Sequence, residues 1–350
     1  MTPREPLSAN TFGRATTALA PMQDVTTIGF MRIFASFGAP DWFFTEFFRV
    51  HATSTLDENT LACITQNDTG RPVFAQIIGE DIAHMVRTTR ELLRHSVAGI
   101  DLNLGCPAPK VFRKNVGGGL LRDLRHVDAL LGELRNATPG LLSVKTRIGF
   151  DDADRASTLL DLVALTNKHA IDLLTIHGRT VRGLYRTPVD YTAIAHAVSL
   201  SQCPVLANGD ISSATKAAHV LASTGCAGVM LGRHAVRNPW VFRQIREHLA
   251  GKPVFQPHLS DVREYIDRLV NITASPSLPT QLHASRMKKF LNFIGTGVDP
   301  EGAFLKVVRR ASTLAELLLL CDIHLIHGTR AAHPFPAEAY PGITARPNCE

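Results

Sequence analysis

The chain has 350 residues, of which 45% are hydrophobic and 19% charged, with a formal net charge of +6. This composition is typical of a soluble globular protein, and the first 15 residues lack the apolar core of a secretion signal. No apolar run approaches the roughly 18 residues that a membrane-spanning helix needs. The six cysteines show no CxxC pair and no regular spacing, which argues against a zinc ribbon or a disulfide framework and predicts a cytoplasmic protein.

Short apolar runs predict eight β-strands, most of them followed by a helical pattern. The predicted strands are 16–22, 42–47, 73–79, 99–105, 141–149, 172–178, 204–210 and 228–233. The predicted helices are 27–37, 81–95 with Asp81 as N-cap, one from Leu120, 154–169, 190–199, one capped by Ser212 or Ser213, and one after Pro239. Such alternation predicts an α/β fold with a parallel sheet, and eight units over roughly 240 residues match a (β/α)8 TIM barrel. A doubly wound open sheet is the alternative, but no GxGxxG follows the first strand.

The pattern changes after Pro253, where three helical segments follow one another without strands between them. They are 260–274, 278–295 and 301–320. We therefore predict a flexible N-terminal arm (1–15), a barrel catalytic domain (16–250), a small all-helical domain (251–332) and a disordered tail (333–350).

The stretch 99–123 carries a candidate reactive centre. The fourth strand ends in Cys106-Pro107, and because proline has no amide hydrogen, the cysteine should lie at the edge between strand and loop. Three cations and a glycine triplet follow, namely Lys110, Arg113, Lys114 and 117–119. A thiol beside a basic, glycine-rich loop would suit an anionic partner, and a buried structural cysteine is the alternative.

Polar residues recur at the carboxyl ends of the predicted strands, where a barrel has its active site. They are Gln23, Glu46, Gln76, Asn103, Lys145, Arg147, His177, Arg179, Asn208, Asp210 and Arg233. Each alone could be a solvated rim residue or a satisfied core residue, but together they share one rim. Asn208-Gly209-Asp210 and Gly232-Arg233 suit the phosphate site that barrels form after strands seven and eight.

A phosphate-bearing flavin, FMN, would account for these groups. Lys145 would stabilise the negative charge that the ring gains on reduction, and Gln76 and His177 could hydrogen-bond the ring. The backbone at Pro21-Met22-Gln23 would pack against the other edge of the ring. A Schiff-base role for Lys145, as in barrel aldolases, is the alternative.

Eight motifs in unbroken order resemble those of the tRNA-dihydrouridine synthases. They are LAPM at 19–22, TEF at 45–47, DLNLGCP at 101–107, GGGLLRD at 117–123, VKTRIG at 144–149, HGRT at 177–180, ANGD at 207–210 and MLGR at 230–233. The similarity covers about residues 16–245, and RMKKFL at 286–291 is similar to the RNA-facing helix of that family.

The resemblance implies an FMN enzyme that reduces a uridine of tRNA to dihydrouridine, with NADPH as reductant. Cys106 would protonate C5 of the uracil while hydride enters C6, because a cysteine thiol is mostly protonated at neutral pH. Asn103 would hold the uracil. FMN would contact Pro21, Met22, Gln23, Gln76, Lys145, His177, Asn208, Gly209, Asp210, Gly232 and Arg233. The tRNA would contact Lys110, Arg113, Lys114, Arg147, Arg179, Arg182, Arg186, Arg286, Lys288 and Lys289. For the last three, solvated surface charge is the alternative.

Some residues depart from the family pattern or point to a subgroup. Phe112 stands near a position where the family often has asparagine, and the run 45–50 and the helix near 286 look most like bacterial C-type synthases, which would imply uridine 16. The alternatives are an FMN barrel oxidoreductase acting on a small pyrimidine or an enoate, and a non-catalytic tRNA-binding protein. We expect a monomer without a metal ion and without a membrane partner.

Overall fold

The computed structural model describes residues 12–13, 15–153, 155–274 and 279–345. Residues 1–11 and 14 of the predicted arm, the start of the predicted helix 154–169 and residues 346–350 of the predicted tail lie outside the described residues. Among the described helices, none is long and apolar enough to cross a membrane.

The strands of the described chain form one sheet that closes on itself. They are β1 (Thr16–Leu19), β2 (Trp42–Phe44), β3 (Phe48–Arg49), β4 (Val73–Ile78), β5 (Gly99–Leu104), β6 (Leu141–Arg147), β7 (Leu173–His177), β8 (Val205–Asn208) and β9 (Gly228–Leu231). β1 pairs in parallel with both β2 and β9, and β2 also pairs with β4. The predicted (β/α)8 barrel is therefore confirmed, because an open doubly wound sheet would leave its outer strands unpaired on one side.

The second predicted strand is interrupted, and the short β3 continues it. Thr45 Oγ1 accepts a hydrogen bond from the Gln76 N–H (3.1 Å) and donates one to the carbonyl of Glu46 (2.7 Å). Because this side chain takes the place of a backbone partner, the chain leaves the ladder after the Thr45 N–H, which still donates to the Phe74 carbonyl at 2.9 Å, and rejoins β4 at Phe48.

Helices connect the strands and follow the barrel. They are α1 (Ile28–Gly38), α2 (Glu58–Thr65), α3 (Ile82–Leu92), α4 (Pro109–Phe112), α5 (Leu124–Ala137), α6 (Arg155–Lys168), α7 (Tyr191–Leu200), α8 (Ala214–Thr224), α9 (Arg233–Arg237), α10 (Val241–Leu249), α11 (Leu259–Thr273), α12 (Thr280–Ile294), α13 (Ala303–Val308) and α14 (Leu314–Leu325). The predicted N-cap of α3 is confirmed, since the Asp81 carboxylate accepts the His84 N–H at 2.8 Å.

Two helix predictions differ from the structure, each because of a local cap, and one helix with a side-chain N-cap was not predicted. The predicted start at Leu120 is wrong: residues 117–122 form a 3-10 helix, and α5 begins after its N-cap Asp123. The predicted helix 301–320 is two helices, because Thr313 caps α14. Helix α2 was not predicted, although Asp57 gives it an N-cap that accepts the Thr60 N–H at 2.8 Å.

An apolar cluster fills the half of the barrel towards the amino ends of the strands. Its members are Phe12, Ala18, Ala20, Trp42, Phe44, Phe74, Leu141, Leu173, Leu206 and Met230. The Phe44 and Phe74 rings stack with centroids 4.9 Å apart, and the Phe12 ring lies 4.9 Å from that of Trp42. Packing of these side chains leaves the other half of the barrel, at the carboxyl ends, for polar groups.

Gly228 lies where β1 and β9 close the barrel, and its replacement by alanine should destabilise the fold. A Cβ there would lie 2.1 Å from the Thr16 carbonyl oxygen and 2.8 Å from Leu206 Cδ2. We expect the free energy of unfolding to fall by about 3 kcal/mol, since backbone must move to relieve the overlap. Urea unfolding followed by circular dichroism measures this loss. Gly140→Ala is the matched control, because no atom beyond the two adjacent residues lies within 4 Å of the added Cβ, and equal midpoints for the two variants would contradict the prediction.

The chain divides into two compact units. The first comprises the described residues up to Met31, Pro40–Ile211 and Lys216–Gly232, and the second comprises Arg32–Ala39, Ser212–Thr215 and the described residues from Arg233 onward. In the second unit the Phe335 side chain is fully buried and its N–H donates to the Pro257 carbonyl at 2.7 Å. Arg237 donates to three carbonyls, those of Pro336, Ala337 and Glu338. The domain boundaries derived above from sequence stay predictions.

Candidate active site

Polar side chains line the barrel interior from the middle of the strands to their carboxyl ends. They are Gln76, Asp101, Asn103, Ser143, Lys145, His177 and Asn208, all in the first unit. Lys145 Nζ on β6 lies 3.3 Å from Asn208 Oδ1 on β8, across the intervening β7. A contact that skips a strand requires both side chains to point into the barrel, and the two-residue period of a strand then places the others on the same face.

A chain of hydrogen bonds links Gln76 on β4 to Cys106. Gln76 Nε2 donates to an Asp101 carboxylate oxygen at 2.6 Å, and Asn103 Nδ2 donates to Gln76 Oε1 at 2.8 Å. Asn103 Oδ1 in turn accepts the backbone N–H groups of Gly105 (3.0 Å) and Cys106 (2.9 Å). Asn103, which we predicted to hold the substrate base, therefore also fixes the backbone that carries the thiol.

Cys106 is half-buried, and the first two glycines of the triplet, Gly117 and Gly118, pack directly against it. Its carbonyl accepts the Gly118 N–H at 3.3 Å. A Cβ on Gly117, whose φ is +57°, would lie 3.1 Å from Cys106 Cβ, and one on Gly118 would lie 2.9 Å from the Cys106 carbonyl oxygen. The loop can approach the cysteine this closely only because these residues lack side chains. By contrast, the side chains of Cys63 and Cys226 are buried.

Lys145 is a cation in a poorly solvated position. Burial and, to a lesser extent, the neighbouring Arg147 lower the pKa of its ammonium group to about 8, while Asp101 and Cys106 oppose the shift. The Asn208 amide is held by a bond from its Nδ2 to the Met230 carbonyl (2.8 Å), so its oxygen faces Lys145. Such a lysine can hold an anionic ligand at neutral pH, and it can also become a nucleophile at higher pH.

Two of the arginines predicted to contact the substrate, Arg147 and Arg179, are buried and bound to protein groups. Arg147 donates to the carbonyls of Gly105 (3.1 Å), Thr180 (2.8 Å) and Leu184 (2.8 Å). Arg179 forms a two-pronged pair with the Asp210 carboxylate, one bond of which is 3.0 Å, and donates to the Thr187 carbonyl. Both guanidinium groups brace the loops after β5, β7 and β8.

The predicted phosphate loops carry two unusual backbone conformations. Gly209 has φ +119° and Asp210 has φ +44°, and the Tyr191 hydroxyl donates to the Gly209 carbonyl at 2.6 Å. A Cβ on Gly232 would lie 3.5 Å from Met22 Sδ, so the loops after β1 and β9 are neighbours. Pro21 and Met22 are half-buried, and Gln23 is exposed. Arg233 follows Gly232 in sequence as the first residue of α9, which belongs to the second unit.

The remaining predicted cations fall into two groups. Those of the first unit are exposed on the loops after β5 and β7, at the same barrel end as Cys106; they are Lys110, Arg113, Lys114, Arg182 and Arg186. Those of the second unit lie on α12, where Arg286 and Lys289 are exposed and Lys288 is half-buried. Arg286 donates to the Thr273 carbonyl and Lys288 to that of Arg309, each at 3.2 Å.

Sequence reasoning missed three residues of this site. Asp101 and Ser143 share the barrel face with Asn103 and Lys145, and the alternation of polar residues on β5 and β6 could have revealed them. Tyr191 carries no such signal, because it follows a loop and its role depends on where that loop folds. Within the described part of the chain, no group of three or more His, Cys, Asp or Glu side chains could hold a metal ion.

Comparison with known proteins identifies similar sequences over most of the chain. A family model described as Dihydrouridine synthase (Dus) matches residues 18–295. A probable tRNA-dihydrouridine synthase of Helicobacter pylori is 34% identical over 72% of this chain and 76% of that protein. The tRNA-dihydrouridine synthase B of Xanthomonas campestris is 34% identical over 72% and 75%, and a tRNA-dihydrouridine(16) synthase of Neisseria meningitidis is 29% identical over 85% and 91%. A solved morphinone reductase structure is 10% identical, with a TM-score of 0.49 over 70% of this chain and 89% of that one.

Proposed function

Because the chain belongs to the dihydrouridine synthase family, we propose that it is an oxidoreductase that reduces a specific uridine of tRNA to 5,6-dihydrouridine, with bound FMN and with NADPH as reductant. One observation carries the proposal: Gln76, Asn103 and Cys106 are joined by hydrogen bonds at the barrel end that also holds Lys145. The Cys106 thiol, two side-chain amides and the Lys145 ammonium group thus converge where a barrel binds its ligands.

The residues at this barrel end fit a flavin. Gln76 and Asn103 each keep a second amide N–H for which no described residue is an acceptor, and Lys145 adds a positive charge. Such donors suit the acceptor-rich edge of a flavin ring, which His177 and the backbone at Pro21, Met22 and Gln23 would also contact. We assign the phosphate to Asn208, Gly209, Asp210 and Gly232 of the first unit. When bound, FMN would supply to C6 of the uracil the hydride that it takes from NADPH.

Cys106 completes the reduction as the proton donor. Hydride at C6 leaves negative charge at C5 and O4 of the uracil, which needs a proton from the other face of the base. The thiol gives its proton to C5, so the base gains one hydride and one proton and its C5–C6 double bond becomes single. The bonds to the N–H and carbonyl of Cys106 hold the thiol in place for this transfer.

The exposed cations would bind the tRNA backbone. The base must leave its stack to reach the barrel mouth, and phosphate contacts from the loops after β5 and β7 would hold the opened strand. The cations of α12 would make phosphate contacts of their own. We propose that Arg147 and Arg179 serve the same end indirectly, by bracing those loops. Uridine 16 stays a prediction, since the relatives include synthases named for that position and synthases named B.

The test is conversion of unmodified tRNA by the purified protein with FMN and NADPH, with dihydrouridine measured by mass spectrometry. We expect one dihydrouridine per tRNA, and binding that weakens steeply with salt. Reduction of free uracil but not of tRNA would favour the small-pyrimidine alternative, and a protein that binds tRNA but not FMN would favour the non-catalytic one. Mapping dihydrouridine in tRNA from a strain lacking the gene identifies the uridine.

A further inference from the structure

Asp101 is a fully buried carboxyl group that has no role in the reaction described above. One of its oxygens accepts from Gln76 Nε2 and the other from Ser143 Oγ, both at 2.6 Å. Burying an ionised carboxylate costs several kcal/mol that its partners repay only in part, so an apolar residue in the same place would serve stability at least as well. A buried charge among the polar groups of a site therefore points to a task in that site.

The hydrogen bonds around Asp101 can run in only one direction. Burial raises the pKa of this carboxyl to about 6, so it is mostly ionised at neutral pH and can only accept. Gln76 must therefore turn its Nε2 towards Asp101, which leaves Oε1 to accept from Asn103 Nδ2. At the far end of the chain the N–H groups of Gly105 and Cys106 can only donate, so Asn103 must turn Oδ1 towards them. The carboxylate at one end and the backbone N–H groups at the other thus require the same orientation of the Gln76 and Asn103 amides, which could otherwise be flipped by 180°.

We propose that Asp101 is a positioning residue: its carboxylate fixes the orientation of the Gln76 and Asn103 amides, so that each keeps an N–H, and not a carbonyl oxygen, for a ligand. This inference rests on the proposed function, in which those ligands are the flavin ring and the uracil. Asp101 touches neither. A reversed amide would present a lone pair to a ligand acceptor, and such a mismatched buried contact weakens binding by about 10- to 100-fold.

Asp101→Asn is the first test, because an asparagine side chain has the same shape and can either donate or accept. We expect the dissociation constant of FMN, measured by quenching of flavin fluorescence on the FMN-free protein, to rise about 10-fold or more. At saturating FMN, kcat for tRNA should fall by a similar factor while KM for tRNA changes less than about twofold, since the phosphate contacts are untouched.

Asp172→Asn is the matched control. The Asp172 carboxylate also accepts two hydrogen bonds, from the Leu142 N–H and from Arg135 Nη1, both at 2.8 Å, but at the amino end of β7. Its loss should affect stability and leave FMN affinity unchanged. Failure of the wild type to bind FMN or to reduce tRNA refutes the proposed function. An active wild type matched by Asp101→Asn in FMN affinity and kcat refutes the positioning role alone.

A second variant tests the proposal even where Asp101→Asn does not fold. Combining Asp101→Asn with Gln76→Glu moves the carboxylate one step along the chain of hydrogen bonds, from position 101 to position 76. There it must accept a hydrogen bond from Asn103 Nδ2. FMN affinity should stay low, because an amide donor to the ring is lost. Yet kcat at saturating FMN should lie at least fivefold above that of Asn103→Ala, since Asn103 keeps its orientation. A kcat equal to that of Asn103→Ala overturns the proposal.

Discussion

Replacing Cys106 by alanine is expected to lower the rate of dihydrouridine formation by about 10²- to 10⁴-fold, the usual contribution of a general acid. The thiol is the proton donor that we assign to C5, and the hydrogen bonds that hold its loop run through the backbone N–H and carbonyl. The variant should therefore keep the loop conformation and bind FMN and tRNA as the wild type does. Single-turnover reduction of tRNA separates the chemical step from binding.

Cys203→Ala is the control for this experiment. Cys203 is also a half-buried free cysteine of the first unit, but it precedes β8 at the amino end of the strand and its thiol lies 3.4 Å from Ser201 Oγ. Its loss should leave the rate within about twofold of the wild type, in line with a conservative change away from the site. A Cys106→Ala variant with the wild-type rate would remove the thiol from the mechanism and return it to a structural role.

The architecture could be predicted because a barrel repeats one signal. Each strand is a short apolar run, and eight runs alternating with amphipathic segments leave few folds other than a closed parallel barrel. The strand ends were predictable for the same reason, since strand direction alone assigns Lys145, His177 and Asn208 to one rim. The exact contacts of these side chains could not be predicted. Lys145 contacts Asn208 across β7, and that pairing depends on the stagger of the barrel strands.

The element boundaries and the fate of individual charges could not be predicted in this way. Side-chain caps end and restart helices over one or two residues, as Asp123 and Thr313 do, and sequence offers many such residues that cap nothing. For charges, sequence reveals that Arg147 and Arg179 follow barrel strands but not that loop carbonyls and Asp210 lie within reach. The sequence alone does not distinguish an exposed arginine from a buried one, because burial depends on how the loops fold.

Lys145→Met should show the second large effect, because it removes a half-buried cation and keeps most of the side-chain volume. At pH 7 we expect turnover to fall about 10²- to 10³-fold, since a preorganised charge in a dry site stabilises developing negative charge strongly. The pKa of about 8 implies that wild-type FMN affinity declines as pH rises through 8 and Lys145 loses its proton. The variant should lack this decline. Lys168→Met, at an exposed lysine paired with Asp128, should behave as the wild type.

Lys145→Met should lose turnover but gain stability, and this combination distinguishes a role of Lys145 in the site from a structural role. The folded-state pKa of Lys145 lies below its ordinary value of 10.5, so the charged lysine destabilises the FMN-free protein below pH 8, and this penalty is relieved as pH rises from 8 to 10.5. Lys145→Met should therefore be more stable than the wild type at pH 7, by a margin that shrinks towards pH 10, in urea unfolding. A variant less stable at pH 7 would contradict this assignment.

The Schiff-base alternative has its own test, because only an amine that forms an imine can be trapped by borohydride. An adduct that borohydride traps on the wild type but not on Lys145→Met would establish that alternative.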